Sequence, residues 1–88
     1  MTLDKHQIDG IGKITSKTLP THKFEEIMQL AGYRRISSQP AEGARIKVDW
    51  YHYKWAKVEA IYTPDQKVAI TAYHPEKKEL ERHPSNRD

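Results

Sequence analysis

Cysteine is absent from the sequence, which excludes disulfides, thiolate metal sites and cysteine nucleophiles. A small secreted domain usually depends on disulfides, so we expect an intracellular, cytoplasmic location. Long hydrophobic runs are also absent. No apolar stretch approaches the roughly 18 residues that a membrane helix needs, and the first residues lack the apolar segment of a signal peptide. Association with a membrane is therefore not expected.

Charge of one sign is only in mild excess. The 88 residues include 15 Lys and Arg against 12 Asp and Glu, which gives a formal net charge of +3. Seven cations and four anions lie between Tyr33 and His74, so the whole excess falls in the region where strands are predicted below. This distribution favours an acidic partner, either nucleic acid or protein. The length fits a single domain.

One amphipathic helix is predicted over residues 21–31. Thr21 suits the N-cap because its hydroxyl can accept a hydrogen bond from a free backbone N–H. Gly32 suits a left-handed C-terminal cap. The apolar stripe at i, i+3, i+4 and i+7 consists of Phe24, Ile27, Met28 and Ala31.

Alternation of apolar and polar residues predicts strands over residues 44–51, 54–62 and 67–74, with a shorter one at 33–37. The expected fold class is α+β, with one amphipathic helix packed on a small, mainly antiparallel sheet of three or four strands. Residues 1–20 are expected to form an N-terminal arm, residues 21–75 the core domain, and residues 76–88 a charged tail, either partly helical or disordered.

A turn centred on Pro64 and Asp65 sets the expected register of the last hairpin. In that register Tyr62 faces Lys67. One side of the hairpin, with Val58, Ala60, Tyr62, Ala69, Thr71 and Tyr73, is expected under the helix. The other side is expected to be partly open, with Trp55, Lys57 and His74 near the open end of the hairpin.

The densest chemical signal is the segment WYHYKW at residues 50–55. Aromatic rings stack on unpaired bases, and lysine or arginine holds phosphates. The first hypothesis is therefore a binding module for RNA or single-stranded DNA. Its phosphate contacts would be Arg45, Lys47, Lys54 and Lys57, and its stacking residues Tyr51, Tyr53 and Trp55. The alternative interpretation makes the two tryptophans core anchors, with the tyrosine hydroxyls in water.

Two histidines suggest a second hypothesis, a metal-independent ribonuclease. One group must deprotonate the 2′-hydroxyl, another must protonate the leaving oxygen, and a cation must hold the phosphate. His52 and His74 are the candidate catalytic residues, with Lys54 or Lys57 as the cation. The alternative is that both histidines are exposed at strand ends.

A local resemblance points in the same direction. Residues 67–75 (KVAITAYHP) resemble the last strand of small bacterial ribonuclease toxins of the barnase and RelE-like superfamily. The resemblance implies a helix placed before a basic sheet. It also implies that Thr71, Tyr73 and His74 are candidate site residues.

A third hypothesis is a protein-interaction module, such as an inhibitor, an antitoxin-like partner or the subunit of a homodimer. The predicted strand at residues 33–37 could pair with another chain, and Arg34 and Arg35 are the candidate partner-binding residues. They could equally protect a solvated strand edge. No metal site and no cofactor is expected, because the five histidines lack short ligand spacings.

Overall fold

A computed structural model describes residues 2–75 of the chain, so the predicted charged tail at residues 76–88 lies outside the described residues. The α+β class is confirmed. One α-helix, α1 (Thr21–Leu30), accompanies five strands, which are β1 (Leu19–Pro20), β2 (Arg34–Pro40), β3 (Ile46–Tyr51), β4 (Val58–Tyr62) and β5 (Val68–Tyr73). Short 3₁₀ turns occur at Leu3–Lys5 and Glu42–Ala44.

The sheet is antiparallel throughout, in the order β1-β5-β4-β3-β2. The prediction of three or four strands is therefore wrong, because the N-terminal segment adds β1 beside β5. Strand β1 has only two residues, which is too short for an alternation of apolar and polar residues to be recognised in the sequence. Pro20 is tolerated there because β1 is an edge strand, where a missing N–H costs no ladder hydrogen bond.

The helix starts and ends almost where its sequence signals lie. Its N-cap is Pro20 rather than Thr21, and the Thr21 N–H donates to the carbonyl of Lys67 instead. At the other end Gly32 has φ +96°. The N–H groups of Gly32 and Tyr33 donate to the carbonyls of Gln29 and Met28, which is the left-handed cap that the glycine predicted.

The hydrophobic core lies between α1 and one face of the sheet. Phe24 packs edge-on against the rings of Trp50 and Tyr62, with both centroid distances 6.2 Å. The Tyr62 hydroxyl donates to the Glu25 carboxylate at 2.7 Å, so even the polar tip of this buried ring is satisfied. The other buried core residues are Leu3, Ile8, Met28, Tyr33, Val48, Val58, Ala60, Ala69 and Ala72.

The register of the β4–β5 hairpin differs from the prediction. Val58, Ala60 and Tyr62 do face the helix, but the pairs are Glu59 with Tyr73, Ala60 with Ala72, and Ile61 with Thr71. The turn is wider than expected: the hydrogen bond that closes it runs from the Thr63 N–H to the carbonyl of Val68, instead of joining Tyr62 and Lys67. A further irregularity lies between Ile61 and Tyr62.

This shift reverses the faces predicted for the end of β5. Thr71 and Tyr73 lie on the side away from α1, since their partners Ile61 and Glu59 do. His74 is buried instead of open. The expected open surface shared by Trp55, Lys57 and His74 therefore does not exist.

Candidate functional site

Two regions gather the side chains that the sequence singled out. We call the first the sealed end; it consists of Asp9, Gly10, Tyr33, His52, Trp55 and His74, where the N-terminal segment folds over one end of the sheet. The second is the open face, the sheet surface opposite α1. It carries Lys47, Asp49, Tyr51, Glu59, Ile61, Thr71 and Tyr73, and the ammonium group of Lys57 reaches it beside Glu59.

His74 is a structural residue of the sealed end. It is 3% exposed, and its Nε2 accepts a hydrogen bond from the Asp9 N–H at 3.0 Å. Its Nδ1 lies 3.2 Å from the carbonyl oxygen of Lys57, so Nδ1 carries the proton and donates. The side chain thus joins the N-terminal segment to the residue that precedes β4.

His52 is engaged in the same way. It is 5% exposed, its Nε2 lies 2.9 Å from the carbonyl oxygen of Ala31, and its Nδ1 accepts from the Lys54 N–H at 2.9 Å. The ring therefore satisfies a carbonyl at the C-terminus of α1, where free carbonyl groups need partners. With both ring nitrogens of both histidines bonded to backbone, neither His52 nor His74 is available to a substrate. This geometry argues against the catalytic roles predicted for them.

Trp55 is partly buried at the sealed end and packs against the core. Gly10 has φ +85°, and a Cβ built there would lie 2.0 Å from Cζ3 of Trp55, so the backbone of the Asp9–Gly10 turn rests on the indole ring. The Tyr33 hydroxyl donates to the Asp9 carbonyl at 2.7 Å. Burial, followed by the charge of Asp9, raises the pKa of Tyr33 to about 12.

Tyr53 and Lys54 lie on the outside of this region. Tyr53 is 80% exposed and stacks on His52 with a centroid distance of 4.8 Å. The Lys54 ammonium lies 5.6 Å from the centroid of the Trp55 ring. Of the three predicted stacking residues, Tyr51 and Tyr53 are accessible, whereas one face of Trp55 is occupied by the glycine turn.

The open face carries a row of polar side chains across four strands. Tyr73, Glu59, Asp49 and Ser37 are successive cross-strand partners on β5, β4, β3 and β2. A second row consists of Thr71, Ile61, Lys47 and Gln39. Tyr51 continues the face along β3 and is 46% exposed.

The electrostatics of the open face centre on Glu59. Its carboxylate lies 3.8 Å from the ammonium groups of both Lys47 and Lys57. Asp49 is the direct cross-strand neighbour of Glu59, and it accepts a hydrogen bond from Ser37 at 3.0 Å while its other oxygen is buried without a partner among the described residues. Burial, then the charge and hydrogen bond of Glu59, raises the pKa of Tyr73.

A groove of about 280 Å³ adjoins these rows. The β2–β3 loop forms one side and strands β4 and β5 form the other. Thr71 lines it at 6% exposure, and its hydroxyl oxygen is buried without a hydrogen-bond partner among the described residues. The lining side chains of chemical interest are Glu42, Arg45, Ile61, Ile70, Thr71 and Tyr73.

Arg34 and Arg35 lie on opposite faces of the edge strand β2. Arg35 forms an ion pair with Glu25 at 2.8 Å and lies 6.0 Å from the centroid of the Tyr62 ring, so it is already engaged within the protein. Arg34 pairs with Tyr51 across the strands, on the open face. The strand also has a bulge at Ile36 and ends in Pro40, and both features discourage pairing with another edge.

Sequence reasoning thus predicted Lys47, Tyr51 and Lys57 in the neighbourhood of this site, and it missed Asp49 and Glu59. The position of Asp49 could have been predicted, because alternation along β3 places it on the same side as Lys47 and Tyr51. The resemblance implied Thr71, Tyr73 and His74; the first two lie on the open face, and His74 is buried at the sealed end.

No protein-family model matches the chain, and neither a curated protein nor a solved structure matches it. Within residues 2–75, no three His, Asp or Glu side chains converge as metal ligands would. No helix of that same part of the chain is long and apolar enough to cross a bilayer.

Proposed function

We propose that the protein binds single-stranded nucleic acid, RNA or DNA, on the open face of its sheet. The observation that carries the proposal is the arrangement of Lys47, Tyr51 and Lys57. All three reach one surface that α1 does not cover, and Tyr51 exposes its ring beside them. Cations that hold phosphates next to an accessible aromatic ring form the combination that single-strand binders use.

The ion pairs of Glu59 are compatible with this role. Lys47 and Lys57 share the Glu59 carboxylate at the outer limit of ion-pair distance. A phosphate can therefore replace Glu59 as the partner of one lysine while the other lysine keeps the carboxylate paired. Arg34 and Arg45 extend the positive charge to both sides of the face.

The test measures binding of fluorescent single-stranded ribo- and deoxyribo-oligonucleotides at several salt concentrations. We expect affinity to fall steeply with salt, with a logarithmic slope of roughly 0.7 per phosphate contact. The double variant Lys47→Gln, Lys57→Gln should weaken binding and flatten the slope by about 1.4. The matched control is Lys13→Gln, Lys23→Gln, which changes the net charge equally at exposed positions away from the open face.

Salt-insensitive association, or equal losses in the two double variants, would contradict the proposal. The same samples test the other two hypotheses. Shortening of the RNA in the presence of chelator would favour a ribonuclease. A stoichiometric complex with a protein, without nucleic acid, would favour an interaction module.

A further inference from the structure

We infer that the groove beside the β2–β3 loop receives one unstacked nucleotide of the bound strand. The inference rests on the proposed function and adds a specific subsite to it. The groove opens on the same face as Lys47, because Ile61 in its wall is the cross-strand partner of Lys47. A strand that follows the lysines therefore passes its mouth.

The groove is suited in size to a single small ligand. Its volume is about 280 Å³, whereas pockets for larger organic ligands begin at about 300 Å³. Ile61 and Ile70 provide apolar contact, and the ring of Tyr73 provides an aromatic wall. A base, which is flat and has two apolar faces, matches these walls.

Thr71 supplies the observation that points to a ligand. Its side chain is 94% buried, being 6% exposed, and its hydroxyl finds no partner among the described residues. A buried polar group without a hydrogen bond is costly and rare in native proteins. A hydroxyl can donate to or accept from the edge of a base. Thr71 lines the groove, so a rotation of its side chain toward an entering nucleotide would bring the buried hydroxyl into hydrogen-bond reach of the base.

Charge at the rim of the groove fits the rest of a nucleotide. The exposed Arg45 guanidinium presents donors in the fork geometry that matches phosphate oxygens. Glu42 also lines the groove, and its carboxylate can accept hydrogen bonds from the amino groups of bases. An acidic ligand without a base would gain nothing from Glu42 or from the apolar walls.

The experiment follows backbone amide resonances during titration with adenosine 5′-monophosphate, uridine 5′-monophosphate, the two nucleosides and inorganic phosphate. We expect saturable shifts at Ile61, Ile70 and Thr71 with the nucleotides. Thr71→Val should weaken nucleotide binding about fivefold or more, the usual effect of one hydrogen bond. Its stability should be unchanged or higher, because the lost hydroxyl has no hydrogen-bond partner among residues 2–75. Thr15→Val, at an exposed site of the N-terminal segment, is the control.

Arg45→Gln separates phosphate from base recognition. It should weaken binding of the nucleotides and leave binding of the nucleosides unchanged. Absence of shifts in the groove, equal shifts with inorganic phosphate, or undiminished binding by Thr71→Val would each overturn the inference. Salt-dependent binding of oligonucleotides, measured in parallel, would then still support the proposed function, so the two can fail separately.

Discussion

At the sealed end of the sheet, His52, His74 and Tyr33 are buried and have their polar side-chain atoms bonded to backbone, and Trp55 is partly buried beside them. On the open face, by contrast, one oxygen of Asp49 and the hydroxyl of Thr71 have no partner among the described residues. The two lysines of the open face share one carboxylate at 3.8 Å. Judged by residue types alone, the sealed end would be the stronger candidate for a binding site. Judged by which polar groups lack hydrogen-bond partners, the open face is the stronger candidate.

The difference has a physical basis. A satisfied, buried imidazole gives up two hydrogen bonds before it can reach a substrate, whereas an unsatisfied group gains from binding one. We therefore expect substitutions in the sealed end to lower stability and leave nucleic-acid binding by the folded protein unchanged. Substitutions on the open face should change binding without lowering stability.

The largest effect is expected for Gly10→Ala. The new Cβ would overlap the Trp55 ring at 2.0 Å in a residue with φ +85°, and the positive φ and the overlap together should cost about 3 kcal/mol. Urea denaturation gives the free energy of unfolding. Gly12→Ala is the control because a Cβ there meets nothing within 4 Å. Similar losses in both variants would show that the Asp9–Gly10 turn does not rest on Trp55.

His74→Ala should cost about 2 kcal/mol, because it leaves the Asp9 N–H and the Lys57 carbonyl without partners. His22→Ala, at an exposed position of α1, should have little effect. Oligonucleotide affinity, measured at a temperature at which the variant is folded, should not change. If His74→Ala kept its stability and lost binding or RNA cleavage instead, His74 would be a functional residue and the sealed end would be a site.

Alkaline pH should weaken the sealed end through Tyr33. Its pKa of about 12 lies above the value near 10 of an unfolded tyrosine, so the native state retains a proton that the unfolded state loses. Stability is then fully present below pH 10 and falls as the pH rises toward 12. Tyr33→Phe should remove about 1 kcal/mol of the loss between pH 9 and pH 11, as measured by urea denaturation at each pH. Tyr53→Phe, at an exposed site, should retain the full loss.

Local sequence patterns predicted the features that depend on local structure. Thr21–Leu30 is helical because its apolar period is 3.6 residues, and Gly32 ends the helix because it accepts a positive φ. The helix-facing side of β4 followed from alternation. Beyond the turn this reasoning failed, since a wider turn and one irregularity move Thr71 and Tyr73 to the opposite side of the sheet.

The roles of the histidines could not be predicted for a different reason. His74 owes its burial to the N–H of Asp9, 65 positions earlier in the chain, and His52 owes its orientation to Ala31. No periodicity or spacing in the sequence encodes such long-range partners. In the segment at residues 50–55, His52 is buried and Trp55 is partly buried, whereas Tyr51 and Tyr53 are exposed.

The smallest change in stability is expected for a substitution on the open face. Asp49 and Glu59 are like charges directly opposite each other on β3 and β4, an arrangement that destabilises a sheet by a few tenths of a kcal/mol to about 1 kcal/mol. Asp49→Asn keeps an oxygen that can accept from Ser37 and removes one of the two charges. We expect a gain of about 0.5 kcal/mol in the free energy of unfolding, together with tighter binding of single strands, since a negative charge leaves the surface on which phosphates would lie.

Asp4→Asn, which removes an equal charge in the N-terminal segment, should leave binding almost unchanged. A loss of binding in Asp49→Asn would show that this carboxylate contacts the ligand directly, and the open face would then recognise hydrogen-bond donors of the bases as well as phosphate.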